Sequence, residues 1–206
     1  MNSLLKFGII PIDYASLESA FPALRSLHDK VSDLERQEII IRLKRGLYVV
    51  SPTISKKEIS MELIANHLYG PSYVSMETAL RYYGLIPERV YHTTSITFKR
   101  ARVFENKFGR FNYISCQKPY YSLGINQIVH AEYAFLIATP EKALCDQIIF
   151  TPKLQLRSVR ALQLYLEEDL RFDMDEFYKM DIAVFQECAA FSKKRTEINN
   201  IIKLLR

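Results

Sequence analysis

The sequence predicts an α+β protein: two short helices and a basic hairpin at the N-terminus, then a mixed α/β domain that ends in helices. Three observations carry this expectation. Two β-branched or apolar runs, Ile39-Ile40-Ile41 and Leu47-Tyr48-Val49-Val50, flank a short cationic segment containing Gly46, which reads as a hairpin. Two segments upstream carry helix-start signals and helical apolar spacing. Further on, alternating strand patterns in the middle of the chain give way after Leu154 to apolar stripes at helical spacing.

The chain has 206 residues, enough for one large or two small domains, with 49% hydrophobic and 25% charged residues. Its formal charge of +5 suits an anionic partner without requiring one. The cations are unevenly spread. Arg42, Lys44, Arg45, Lys56 and Lys57 lie between Ile39 and Lys57 with no acid among them; Lys99, Arg100, Arg102, Lys107 and Arg110 lie together with Glu105 as the only acid. Cys116, Cys145 and Cys188 are odd in number and far apart, which argues against a disulfide framework or a zinc spacing and for a reducing compartment. Lys6, Gly8 and Pro11 interrupt the apolar N-terminus too early for a signal-peptide core, and no run reaches the ~20 apolar residues of a membrane span. A cytoplasmic protein without membrane attachment is expected.

The first helix is bounded by Asp13, an N-cap residue, and Pro22; Leu17, Ala20 and Phe21 share one face. Ser26 opens a second helix, with Asp29 favouring its positive end. Leu27, Val31 and Leu34 point inward, which leaves His28, Lys30, Ser32, Asp33, Arg36 and Gln37 outside. Helix, turn, helix and basic hairpin is the order of a winged helix-turn-helix. In that arrangement the second helix enters the major groove of double-stranded DNA, and Ser26, His28, Lys30, Ser32 and Arg36 are its candidate contacts. Arg42, Lys44 and Arg45 on the hairpin would hold flanking phosphates. A solvated charged hairpin on a small α+β unit is the alternative, and Asp29, Asp33, Glu35 and Glu38 count against a strongly basic reading face. The boundary is expected near residue 54, giving units 1–54 and 55–206.

Beyond it, Ser55-Lys56-Lys57-Glu58 has the capping-box pattern before a helix from Ile59 to Tyr69, closed by Gly70-Pro71. Tyr73-Val74 is extended, and Ser75 is expected to cap a helix stopped by Gly84. Thr93–Phe98 and Phe111–Ser115 read as strands. The cations between them form a possible second nucleic-acid surface (Lys99, Arg100, Arg102, Lys107, Arg110), or charged strand edges that discourage aggregation. Tyr133–Ala138 is a strand, and Thr139-Pro140-Glu141 starts a helix with each residue in its preferred place. Val159, Leu162 and Leu166 make one later stripe, Asp173 another cap, and Ile198, Ile201, Ile202 and Leu205 the last stripe.

The chemistry-bearing patterns are sparse. His28, His67, His92 and His130 are scattered, and neither a G-x-S-x-G elbow nor a phosphate-cradling glycine loop occurs. Glu105-Asn106-Lys107 has the E-x-K spacing of metal-dependent nucleases, with Glu88 upstream. Asp173-Met174-Asp175 has a nucleotidyltransferase spacing that helix capping already explains. Glu141, Lys142 and Asp146 could suggest acid–base work, but a cap accounts for Glu141. No catalytic residue, metal or cofactor is expected.

Five stretches in one order resemble the AbiEi family of antitoxins. They are Pro11-Ile12-Asp13-Tyr14; the Asp29-Lys30-Val31 helix; Arg42–Val49; Ser72–Pro87; and Ala138-Thr139-Pro140-Glu141-Lys142-Ala143-Leu144. The resemblance runs from about Pro11 to Phe150. It implies a winged helix that binds the protein's own operator and represses its operon. It further implies an α/β domain associated with neutralising a nucleotidyltransferase-like toxin in a type IV toxin–antitoxin and phage-abortive-infection system, without a stable complex. Family members often place glycine between the reading helix and the wing, where this chain has Gln37-Glu38; a left-handed exit there costs about 1 kcal/mol more without glycine. A stand-alone regulator without a toxin is the second reading, and a small nuclease using Glu88, Glu105 and Lys107 the third.

Overall fold

The computed structural model describes residues 2–22, 26–87 and 91–206 and shows a mixed α+β protein with two sheets. The N-terminal part runs α1 (Asn2–Leu5), β1 (Ile12–Asp13), α2 (Tyr14–Ala20), α3 (Leu27–Arg36), β2 (Ile40–Lys44) and β3 (Leu47–Val50). The three strands form one antiparallel sheet in the order β1-β3-β2.

Local chemistry explains these elements. Asp13 caps α2 by accepting from the Ser16 amide at 2.8 Å, and the Ser16 side chain, then its amide, hold the Asp13 carboxyl below the usual carboxylate range. Ser26 caps α3 through the Asp29 amide, and Val31 and Leu34 are buried while Leu27 packs beside them. The exit from α3 is left-handed at Glu38, whose φ is 52°. The Ile39 amide donates to the Leu34 carbonyl and the Glu38 amide to the Glu35 carbonyl, both at 2.9 Å. This is a Schellman closure with glutamate where glycine is usual. The chain makes the glycine-type turn without glycine.

The sheet of this unit is covered on both faces. Ile12, Ile40, Tyr48 and Val50 join Leu4, Leu17, Val31 and Leu34 in a small core, whereas Leu43, Leu47 and Val49 belong to the main core of the molecule. A bulge between Arg42 and Lys44 places Leu43 out of register, so that both Leu43 and Lys44 serve the main body.

The rest of the chain continues with α4 (Pro52–Ser55), α5 (Met61–Leu68), β4 (Tyr73–Val74), α6 (Met76–Tyr82), β5 (His92–Thr97), β6 (Arg102–Asn106) and β7 (Gly109–Ser115). Then come α7 (Lys118–Tyr121), β8 (Ile125–Val129), β9 (Ala134–Ala138), α8 (Pro140–Phe150), α9 (Val159–Leu164), a π-helical turn (Tyr165–Asp169), α10 (Met174–Phe177), α11 (Ile182–Phe191) and α12 (Arg195–Leu204). The six-stranded sheet has the order β6-β7-β5-β4-β9-β8, with β7 parallel to β5 and β4 parallel to β9. Val74, Ser95 and Tyr113 stand in one cross-strand row. Tyr113 donates to the Ala65 carbonyl at 2.6 Å, so α5 covers that face. Tyr73, one residue from Val74, points the other way, toward α8.

Two helix starts differ from expectation. Ser55 does not cap the helix after it: Lys56 is left-handed and closes α4, and Ser60 caps α5 by accepting from the Leu63 amide at 3.1 Å. Ser75 sits at the N-cap position of α6 without capping it, because Met76 adopts a φ of 55° and the hydroxyl turns instead toward α8. Strands β6 and β8 carry no clear sequence pattern. β6 is hidden among cations, and β8 lacks a polar–apolar alternation. No helix among the described residues is long and apolar enough to cross a membrane.

Candidate nucleic-acid interface

Helix α3 presents Ser26, His28, Ser32 and Arg36 as exposed residues and Lys30 as half-buried. Ser32 donates to the His28 carbonyl at 3.0 Å, and Lys30 lies over the Phe21 ring at 6.0 Å. The face is not strongly basic. Arg36 is paired to Asp33 at 2.6 Å and His28 stands 3.6 Å from Asp29. Ser26 and His28 together hold the Asp29 carboxyl below its usual range. Such solvent-screened surface pairs contribute little, so an anion can replace the carboxylate at small cost.

The hairpin cations have three different fates. Arg42 spans from β2 to α3: its Nε donates to Glu35 Oε1 at 2.8 Å and its Nη2 to Oε2 at 2.5 Å, and its guanidinium lies over the Tyr48 ring. This two-pronged contact raises the Arg42 pKa still further and ties the helix to the sheet. Lys44 is not a free tip residue. Carried to the body side by the bulge, it donates to the Leu68 carbonyl at 2.5 Å and lies 5.8 Å from the Phe104 ring. Arg45 occupies the turn with Gly46, is exposed, and has no ion-pair partner among the described residues.

The second basic run meets the first. Lys99 donates to the Gly70 carbonyl at 2.6 Å and lies over Tyr69; Arg102 lies over Tyr69 at 5.5 Å and Phe104 at 5.7 Å. Lys44, Lys99 and Arg102 therefore converge on one aromatic platform made by Tyr69 and Phe104, whose rings are 5.8 Å apart. Burial, and then the charges of Arg102 and Lys99, push the Lys44 pKa down. Arg100 is exposed and its carbonyl accepts from Tyr69 Oη at 3.2 Å. Lys107 reaches back across the units to Glu38 at 2.7 Å and holds that carboxyl below its usual range. Arg110 stands opposite Glu105 in the β6–β7 register and donates to Asn112 at 3.2 Å. The arrangement thus offers two zones, the outer face of α3 and the cationic platform at β6, joined by the β2–β3 hairpin that carries Arg45 in its turn. Sequence reasoning missed Tyr69 and Phe104; no local pattern marks aromatics whose role is to carry cations from elsewhere in the chain.

A second cluster lies inside the protein. Asp146 on α8 is fully buried and accepts four hydrogen bonds: from Tyr120 at 2.6 Å and Lys142 at 3.0 Å on one oxygen, and from Ser75 at 2.6 Å and Tyr73 at 3.1 Å on the other. Lys142, equally buried, sits 3.0 Å from the centre of the Tyr120 ring. Tyr73, Ser75 and Lys142 come from two of the stretches that carry the family resemblance, Tyr120 from α7, and Asp146 lies two residues beyond the last stretch. Every acceptor position of the carboxylate is filled from within the chain, so the cluster is a structural junction. A cavity of about 500 Å³ beside it is lined by Cys116, Tyr120, Phe150 and Phe191 among others. Lys194 at its rim is committed to the carbonyls of Ile148, Thr151 and Leu154.

Of the residues considered for nuclease chemistry, Glu105 lies on β6 opposite Arg110 in the strand register, Lys107 lies just after β6 and is paired to Glu38, and Glu88 lies outside the described residues. Among the described residues no three His, Cys, Asp or Glu side chains gather closely enough to hold a metal ion. No protein-family model matches the chain, and no curated protein is significantly similar to it.

Proposed function

We propose that this chain is a DNA-binding autorepressor and the antitoxin of a type IV toxin–antitoxin pair, of the kind its resemblance to AbiEi proteins implies. Its functional partner is a nucleotidyltransferase-like toxin with which it forms no stable complex. The observation that carries the DNA reading is the convergence of the two basic runs beside a helix–helix–hairpin unit. The order α1-β1-α2-α3-β2-β3, with β3 central in its sheet, supports a winged helix-turn-helix in which α3 reads base edges. In this reading His28, Lys30 and Ser32 choose the sequence. Arg45, Lys99, Arg100 and Arg102 hold phosphates, and Lys44 contributes its charge to that second zone. Arg42 sets the angle between α3 and the wing.

The test is binding to the chain's own upstream DNA as a function of salt. Affinity falls steeply with salt. Lys99→Ala/Arg102→Ala weakens binding to all sequences and lowers the log–log salt slope by about one for each phosphate no longer held. His28→Ala shifts operator preference with the slope unchanged. Binding that ignores salt, or the two variants having the same effect on every sequence, sinks the reading. The antitoxin half is tested separately: co-expression with the neighbouring nucleotidyltransferase-like protein restores growth, while the two proteins fail to co-purify.

A further inference from the structure

We infer that the chain pairs with a second copy of itself through strand β8, in antiparallel register about a two-fold axis at Gln127. The strand ends the six-stranded sheet, hydrogen-bonded to β9 on one side only. The bonds from Thr139 to the Gly124 carbonyl and from His130 to the Tyr133 carbonyl, both 2.8 Å, fix the phase of the ladder. Residues 124, 126, 128 and 130 face β9, so Ile125, Gln127 and Val129 direct their N–H and C=O groups outward. Asn66 confirms the phase from the far side of β9, since it bonds both the amide and the carbonyl of Leu136, the residue opposite Gln127. The three outward amides have no partner among the described residues.

Sheet edges are normally protected by charge, proline, a bulge or a covering segment. The opposite edge shows such protection: β6 carries Arg102 and Glu105, and Asn106 donates from it to the Leu43 carbonyl of the hairpin. Strand β8, Ile-Asn-Gln-Ile-Val, has no charge, no proline and an unbroken register. It is also self-complementary. Antiparallel pairing centred on Gln127 sets Gln127 against Gln127 of the second copy and Ile125 against Val129 at both ends, each pair exchanging both N–H···O bonds. Val129 is 72% exposed and gains Ile125 of the second copy as a cross-strand neighbour. Glu132, in the turn beyond the strand, is already paired with Lys57.

Sedimentation of the full chain from about 1 to 200 µM tests this, because a weak dimer is populated by mass action. The parent dimerises with concentration. Gln127→Lys and Gln127→Glu, which set like charges opposite each other, each raise the dimer Kd at least about tenfold. An equimolar mixture of the two recovers association as a heterodimer. Circular dichroism checks that each variant folds, and Val129→Lys supplies an independent disruption at a highly exposed position. A parent that stays monomeric throughout, variants that dimerise like the parent, or a mixture that does not associate overturns the inference. These outcomes are independent of DNA binding.

Discussion

At the scale of single residues, Glu38 is the clearest case of strain retained in the fold. It holds a left-handed backbone, and its side chain, 73% exposed, is engaged with Lys107. Glu38→Gly therefore stabilises the protein by roughly 0.5–1 kcal/mol, read as a raised urea midpoint; the lost surface pair and the added freedom of the unfolded chain offset part of the relieved strain. Cys116 gives a second prediction. Burial pushes its thiol up to about 11, although it borders the cavity beside α7. At pH 8 its thiolate fraction is then about a thousandth, and alkylation by iodoacetamide runs about two orders of magnitude slower than for an unhindered cysteine. The rate climbs roughly tenfold per pH unit until the thiol titrates. Mass-spectrometric labelling at pH 7, 8 and 9 checks both the rate and its slope; labelling as fast as that of a small-molecule thiol refutes the assignment.

Elements are joined chiefly by groups that local sequence does not advertise. The Asp146 carboxylate gathers β4, α7 and α8, and Lys142 beside it is fully buried. Asp146→Asn leaves a charged lysine without its counter-ion and costs about 3–5 kcal/mol. Lys142→Met added to Asp146→Asn removes that stranded charge and recovers a large share of the loss, measurable as a double-mutant cycle by chemical denaturation. A cycle in which the two losses simply add rules out the pairing. The legibility of the fold divides along the same line. Helices announced by their own caps, at Asp13, Ser26, Thr139 and Asp173, are readable because the signal and the structure lie within four residues. The apolar spacing of Val31 and Leu34 places the buried face of α3 in the same way. Ser55 misleads because the capping-box pattern that it shares with Glu58 sits five residues upstream of the real cap, and packing of Leu63 and Ile64 sets where α5 begins. Ser75 is legible as a cap only in position; what its hydroxyl bonds to is decided 71 residues away. The basic residues are all visible in the sequence, but their grouping depends on the β2 bulge and on Tyr69 and Phe104, neither of which has a local signature.

For the whole molecule, the shared hairpin makes the N-terminal unit and the body cooperative. Leu43, Leu47 and Val49 are buried in the main core while Tyr48 and Val50 on the same strands serve the small one. Thermal unfolding followed by far-ultraviolet circular dichroism and by tyrosine fluorescence therefore gives coincident transitions. Leu43→Ala lowers both together, by about 2–4 kcal/mol. Separate transitions would show that the two units unfold independently. The same burial has a consequence for geometry. No flexible tether separates α3 from the cations on the Tyr69–Phe104 platform; Arg42 and Glu35 fasten one end of the hairpin, and Leu43, Lys44 and Asn106 fasten the other. Under the DNA-binding function proposed above, the molecule would then act as a fixed gauge. A polyanion whose charges fall at the wrong interval must itself bend to satisfy both zones, and the deformability of the ligand then becomes part of what is selected.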